Sequence, residues 1–341
     1  MRLEAERFTI RLPRPFRIAH GSSVTRETIL VHLYDDREDI VAHGEGALPP
    51  YYPSTAEASL SCLNSLVAVD EAKLEDACMS QRAPEAAAAC AALEIALQDL
   101  RAQRAGKPLW RVWGLDPAHI PPCLMTLSIP ASENELRNLL DDGISRGSNY
   151  IKLKTGSGDP DWDETCLRLT AERPVRFGLD ANGGWSPEQA AKILSCPACR
   201  NVAFVEEPVS GEIAGWRELR LRLRGIKIPP LVADESLQTD DGLPLLKGLA
   251  DGVNVKLLKA GGLDAARRWI ARARSLGLGI MVGTMVETGI GRTAAAQLAP
   301  LADWLDIDSP ESIPAAPMIG FRIEGDRLVL QDRPGLGLRR A

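Results

Sequence analysis

The sequence predicts an α/β protein, a (β/α) barrel preceded by an α+β cap. From Pro121 onward, short apolar segments alternate with amphipathic helical ones, and eight strand candidates fit into about 190 residues. Before Pro121 the pattern differs: strand-like alternation comes first, then an alanine-rich helical stretch. No G-x-G-x-x-G motif follows a strand, which argues against an open dinucleotide-binding sheet.

The N-terminal elements read in order. FTIRLPRPFRIA (8–19) alternates, a polar loop is expected over His20–Glu27, and TILVHLYDD (28–36) alternates again. Asp35, Asp36 and Asp39 then turn the chain into DIVAHGEGA (39–47), giving an expected three-stranded antiparallel meander. The proline- and tyrosine-rich segment 46–55 is a loop, and Thr55 is placed to cap a helix starting at Ala56. The alanine-rich run 85–106 is a second helix ending at Gly106. The barrel strands are expected at 123–129, 150–155, 175–181, 202–208, 230–236, 252–258, 279–285 and 304–308. Helix patterns such as 186–196 and 262–277 lie between them. The tail 320–337 reads as a hairpin about Gly325-Asp326 that returns towards the cap. The expected division is a cap over 1–118, a barrel over 119–318, and 319–341 returning to the cap.

Composition removes several chemistries. The 341 residues carry a net charge of -6, so neither nucleic acid nor an anionic membrane is the expected partner. No apolar run approaches the roughly 18 residues of a membrane span, and the first residues lack a signal-peptide pattern. The 4 histidines all precede residue 120 without metal-ligand spacing, so a histidine-zinc site or a histidine-based triad is not expected. The 7 cysteines, an odd number scattered along the chain, point to reduced thiols in a cytoplasm. Cys196 and Cys199 form a lone C-x-x-C, too little for a zinc site. A homo-oligomer is compatible with the sequence, which carries no distinct interface signal. Lysine and carboxylate remain as the plentiful reactive groups.

In such a barrel the reactive residues project from the C-terminal strand ends. Those ends read Lys152-Leu153-Lys154, Asp180-Ala181-Asn182, Glu206-Glu207-Pro208, Asp234-Glu235-Ser236, Val255-Lys256 with Lys259 beyond, Thr284-Met285-Val286-Glu287, and Asp306-Ile307-Asp308. Carboxylates on three adjacent strands in a barrel mouth are costly unless paired or metal-bound. Converging Asp, Glu and Asp oxygens suit a hard cation, and Mg2+ is the natural candidate. The second and sixth strands lie across the barrel, so Lys154 and Lys256 can address two faces of one bound substrate. A neutral lysine would take a proton next to a carboxylate, the other ammonium would return one, and Mg2+ would stabilise the enediolate between. Each lysine needs a lowered pKa, which a nearby positive charge provides; Lys152, two residues from Lys154, is a candidate for that role, as is the metal. A non-catalytic binder that kept the fold is disfavoured, because buried charge without use costs stability.

The series K-x-K, D-x-N, E-E-P, D-E-S and N-V-K-L-x-K-x-G-G, with the cap and returning tail, resembles the enolase superfamily in its muconate-lactonizing-enzyme subgroup. The resemblance covers nearly the whole chain. It implies a modified TIM barrel, (β/α)7β, with an N-terminal α+β capping domain completed by the tail. It also implies Asp180, Glu206 and Asp234 as Mg2+ ligands, Glu206 being chosen over Glu207 because related sequences read E-Q-P there. Lys154 and Lys256 are implied as the acid/base pair, with Lys152 as electrostatic helper; the pairing of lysine with Mg2+ is a general property of this superfamily. Cycloisomerases, o-succinylbenzoate synthases, N-acylamino acid racemases and dipeptide epimerases share the lysine pair. Asp306 and Asp308 resemble the dipeptide epimerases, where two aspartates hold the substrate α-ammonium, a charge-assisted contact that would repel a dicarboxylate. The implied activity is epimerisation of a dipeptide at its C-terminal α-carbon. Relatives acting on Ala-Glu carry a G-S-R sequence in the first cap loop. Here Gly21-Ser22-Ser23 stands there, and Arg26 is expected exposed at the start of the next strand, so a non-acidic second residue is expected. Ser23, Thr126 and Met285 complete the expected substrate contacts.

Overall fold

A computed structural model describes residues 1–66, 70–80, 84–307 and 318–340. The chain opens with an antiparallel meander of β1 (Arg2–Ile18), β2 (Gly21–Asp35) and β3 (Ile40–Leu48), as its alternation predicts. The expected loop over His20–Glu27 is a correction: all but His20 belongs to β2. Gly21, at φ +123°, permits the tight reversal, and Ile18 pairs directly with it. Most of 21–25 faces solvent, so their polarity marks an exposed ribbon and not a loop. The pairing register jumps from Arg11–Thr25 to Phe16–Ser23. Leu12-Pro13-Arg14-Pro15 bulges out there because neither proline has an N–H for the ladder.

Three helices back this sheet: α1 (Ala56–Asn64), α2 (Glu71–Ser80) and α3 (Ala87–Arg104). Thr55 caps α1, its hydroxyl accepting from Ala58 N at 3.1 Å. The close packing of α3 on β3 explains two glycines. A Cβ on Gly44 or Gly46 would stand 1.9 Å from the carbonyl oxygens of Ala92 and Ala88. The alanine-rich face of α3 is the other half of that approach.

All eight expected barrel strands are present: β4 (Met125–Leu127), β5 (Tyr150–Lys154), β6 (Arg176–Asp180), β7 (Val202–Glu206), β8 (Leu231–Ala233), β9 (Gly252–Val255), β10 (Gly279–Gly283) and β11 (Trp304–Asp306). They are parallel and lie in sequence order. Cys123 bridges Leu305, with Leu124 N donating to Leu305 O at 2.8 Å, and so joins the first strand to the last. The outer layer includes the helices Pro187–Leu194 and Leu263–Ser275, both foreseen in the sequence. Period-2 alternation then decides which side chains enter the barrel. On β5, Ile151 and Leu153 pack outward under the helices, while Tyr150 joins Leu124, Phe204, Val232 and Met281 in an apolar interior layer. Lys152 and Lys154 are the next inward positions above that plug, and Glu206 follows Phe204 in the same way.

The tail forms β12 (Met318–Ile319), β13 (Phe321–Glu324), β14 (Arg327–Leu330) and β15 (Arg339–Arg340), with the expected hairpin between β13 and β14. Leu336 N donates to Asp99 of α3 at 2.7 Å. Two cap carboxylates seat the cap on the barrel. Glu45 of β3 accepts from Thr288 N and Gly291 N, both at 2.8 Å, at the start of the helix Gly289–Ala296. Glu94 of α3 accepts from Leu263 N and Asp264 N at the start of Leu263–Ser275. Both are carboxyl groups at helix N-termini, where unsatisfied N–H groups and the dipole favour an acceptor; burial raises both, Glu94 to about 7.

His32 and His43 face each other across β2 and β3 with their Nδ1 atoms 2.8 Å apart. Burial, aided by the charge of His32, lowers the His43 pKa to about 4 from 6.5. The unfolded chain therefore binds a proton below about pH 6.5 that the folded chain refuses until about pH 4. The stability so contributed is complete above pH 6.5 and is lost as pH falls through that window. Thermal melting of the wild type should weaken between pH 7 and 4 by about 2 kcal/mol more than that of His43→Gln. Parallel pH profiles would disprove this assignment.

Candidate active site

The inward positions at the strand ends form one buried charged network. Lys152, 1% exposed, stands at its centre. Its Nζ lies 2.6 Å from Asp306 Oδ2, 2.6 Å from Glu206 Oε2 and 2.8 Å from Asp180 Oδ2. Lys154 Nζ reaches Asp180 Oδ2 at 2.6 Å and Asn182 Oδ1 at 3.1 Å. Across the mouth, Lys256 Nζ donates to Asp234 Oδ2 at 2.6 Å. Strands β5 and β9, which lead to the two mouth lysines, are separated by β6, β7 and β8 in the eight-stranded order, so they are diametrically opposed. Lys154 and Lys256 line the same cavity, together with Phe16, Ile18, Tyr51 and Met285.

A second set of contacts orients these groups. Lys259 donates to Asp234 Oδ1 at 2.5 Å, Asp234 O at 2.7 Å and Asn254 O at 3.0 Å. All three of its N–H bonds tie the end of β8 to β9. Asn254 Nδ2 donates to Glu206 Oε1 at 2.8 Å. Glu207 turns away from the mouth and accepts from Asp234 N at 2.7 Å and Ser236 N at 3.2 Å. Asn182 donates to Glu235 Oε1 at 3.0 Å while its oxygen faces Lys154. Asn182 and Glu207 hold φ of +44° and +36°, strained values for residues with a side chain, and both sit where a strand leaves the barrel.

Charge dominates the protonation states. Burial alone would depress Lys152 and Lys256, but the facing carboxylates outweigh it and hold both well above the ordinary lysine range. Burial would raise Asp180, yet Lys152 and Lys154 hold it down at about 2. Glu206 is pushed up to about 8 by burial and by the charge of Asp180. The charge of Lys152 acts to lower the neighbouring Lys256, in the direction expected of an electrostatic helper, but the carboxylates facing Lys256 outweigh it. Lys152 pairs with Asp180, Glu206 and Asp306 at once.

The donor set fits a hard divalent cation. Among the described residues no three acidic side chains already form a closed metal cage. Glu206 Oε2, however, is buried and has the ion pair with Lys152 at 2.6 Å in place of a hydrogen bond. Glu235 Oε2 is likewise buried and unpartnered. Lys152 stands between Asp180 and Glu206 and supplies the positive charge that a metal ion would supply to these oxygens.

The other expected residues divide. Thr126 lines the mouth and donates to Asp306 Oδ1 at 2.9 Å. Met285 lines it too. Ser23 does not line this cavity: its hydroxyl donates to Thr25 O at 2.5 Å on the cap ribbon. Asp308 lies outside the described residues. Arg26 is a correction, since it is 8% exposed and not on the surface. It pairs opposite the fully buried Ile10, so it faces inward; burial lowers its pKa, opposed by the nearby Tyr51. Phe16, Ile18 and the bracing role of Lys259 were not foreseen. Phe16 and Ile18 alternate as any strand residues do, and nothing local marks their face as the roof of a site.

The fold and the lysine–carboxylate mouth define a capped barrel enzyme of the enolase kind. The chain belongs to this group: residues 2–114 match the mandelate racemase / muconate lactonizing enzyme N-terminal domain, and residues 135–340 the enolase C-terminal domain-like family. It is 29% identical to an L-Ala-D/L-Glu epimerase of Bacteroides thetaiotaomicron, over 97% of this chain and 86% of that one. It is 30% identical to a hydrophobic dipeptide epimerase of a Flavobacteria bacterium, over 99% and 97%. Among solved structures, the dipeptide epimerase from Enterococcus faecalis V583 complexed with Mg and the dipeptide L-Leu-L-Tyr superposes with a TM-score of 0.88, at 26% identity and covering 99% of each chain.

Lys259→Met removes three donors and leaves Asp234 Oδ1 and two strand-end carbonyls buried without them. Urea unfolding should show a loss of about 3 kcal/mol. An unchanged midpoint would show that Lys259 does not brace β8 against β9.

Proposed function

We propose that this protein is a Mg2+-dependent dipeptide epimerase, inverting the α-carbon of the C-terminal residue by 1,1-proton transfer between Lys154 and Lys256. The observation that carries this is the opposition of the two lysines across one cavity, each 2.6 Å from a carboxylate. Asp180, Glu206 and Asp234 would hold Mg2+, which when bound supplies Lewis-acid stabilisation for charge developing on the substrate carboxylate. One lysine removes the α-proton and the opposite ammonium returns a proton to the other face; the roles exchange for the reverse direction.

Asp306 is assigned to the substrate α-ammonium. It already accepts from an ammonium, that of Lys152 at 2.6 Å, and Thr126 fixes its other oxygen. Phe16, Ile18, Met285 and Val286 give the mouth an apolar wall, which favours a non-acidic, hydrophobic C-terminal side chain. All seven cysteines are free thiols, in keeping with a reducing cytoplasm. No described helix is long and apolar enough to cross a membrane.

With a library of L,L-dipeptides in D2O, the wild type should incorporate deuterium at the C-terminal α-carbon, and Lys154→Ala and Lys256→Ala should each lose epimerisation by at least about a thousandfold. Wild-type rates in both variants, or no exchange with any dipeptide, would overturn the two-base reading. Asp306→Asn should lower kcat/KM about a hundredfold for free-amine dipeptides and much less for N-acetylated ones. A chelator should abolish exchange and Mg2+ restore it. Equal losses on both substrate types would remove Asp306 from ammonium binding.

A further inference from the structure

A second cavity of about 130 Å3 lies beside the mouth, between the cap ribbon and the first barrel strand. Its cap-side wall is the β1 bulge, Leu12-Pro13-Arg14-Pro15, and its barrel-side wall is Leu127 of β4 and Leu139 of the helix Glu133–Ser145. Phe16 and Thr126 line both this cavity and the mouth, so they form the sill between the two. Leu12, Phe16, Leu127 and Leu139 are each less than 10% exposed and give the chamber an apolar floor, while Pro13, Arg14 and Pro15 of the bulge stay exposed at its opening. At its outer rim Arg17 is already committed, donating to Ile129 O at 2.8 Å and pairing with Glu135.

We infer that this cavity is the subsite for the side chain of the dipeptide's N-terminal residue, and that it selects an unbranched or γ-branched apolar side chain of leucine or methionine size. The inference rests on the dipeptide reading and on the place of Asp306 within it. An α-ammonium held by Asp306 puts the first α-carbon next to the groups around that carboxylate. Thr126, which donates to Asp306 Oδ1 at 2.9 Å, is one of them, and it is the sill of the cavity. A side chain leaving that α-carbon over Thr126 enters an apolar chamber. On the Lys152 side it would instead meet a buried charge network. Alanine as the first residue leaves the chamber unfilled, and each added methylene gains contact with its walls. The bulge makes this wall. Pro13 and Pro15 sit in the stretch where the pairing of β1 with β2 shifts register.

The test is competitive α-proton exchange in D2O with a set of dipeptides sharing one C-terminal residue and carrying Ala, Val, Leu, Met, Phe or Trp first. The wild type should prefer Leu or Met over Ala by at least tenfold in kcat/KM and discriminate against Trp. Leu139→Phe, which fills the chamber, should lower the Leu/Ala preference by about tenfold. Leu139→Ala, which enlarges it, should move the optimum towards Phe. Because each readout is a ratio within one enzyme preparation, loss of folded protein cancels. Exchange that is indifferent to the first side chain, or a preference unmoved by both variants, overturns the subsite while leaving the epimerase reading intact. Absence of exchange with every dipeptide overturns both.

Discussion

The structure depends on one constraint: an ammonium and three carboxylates share the buried interior of a barrel. Lys152 touches Asp180, Glu206 and Asp306 within 2.8 Å. Removing any one of these ions from water costs several kcal/mol, which is recovered only when partners with good geometry are held in place. The barrel meets that demand with register. β5, β6 and β7 are aligned so that Lys154 pairs with Asp180, and Asp180 with Glu206, along the ladders. The apolar plug of Tyr150, Phe204 and Met281 fills the barrel beneath.

The same constraint explains the bracing around the network. Asn254, Lys259 and Asn182 each contribute a hydrogen bond that fixes a carboxylate or lysine in one rotamer. Such second partners cannot be left out, because a half-satisfied polar network in a low-dielectric interior is worse than an apolar core. The cap belongs to the same design. Glu45 and Glu94 seat it on the N-termini of two barrel helices, and so hold Phe16, Ile18 and Tyr51 above the mouth. A substrate bound there is enclosed by residues separated from the lysines by more than a hundred positions.

Much of this was legible in the chain. The eight strand segments are short apolar runs punctuated by turn residues, and the meander and the tail hairpin show the same clear signals. The charged strand ends were legible for a related reason: a carboxylate or lysine at the end of an otherwise buried strand breaks the pattern, and the breaks recur in order. Less legible was the ribbon at 20–27, where exposed strand and loop have the same polar composition. Arg26 was misplaced with it, because inward or outward facing depends on a register that begins at Gly21. The surroundings of Lys152 were not legible, for an electrostatic reason. Its two-residue separation from Lys154 is visible in the sequence, but the three carboxylates that dominate it come from other strands.

The amino-acid sequence by itself determined the barrel, its strand ends and the types of group that meet there, because period-2 and helical patterning are local properties. Only the tertiary structure decided which charge answers which, which cap residues roof the mouth, and how a proline-interrupted bulge encloses a second chamber. Those outcomes depend on register between strands and on the seating of one domain upon another. Both are set by contacts between residues far apart in the chain, and no local pattern encodes them.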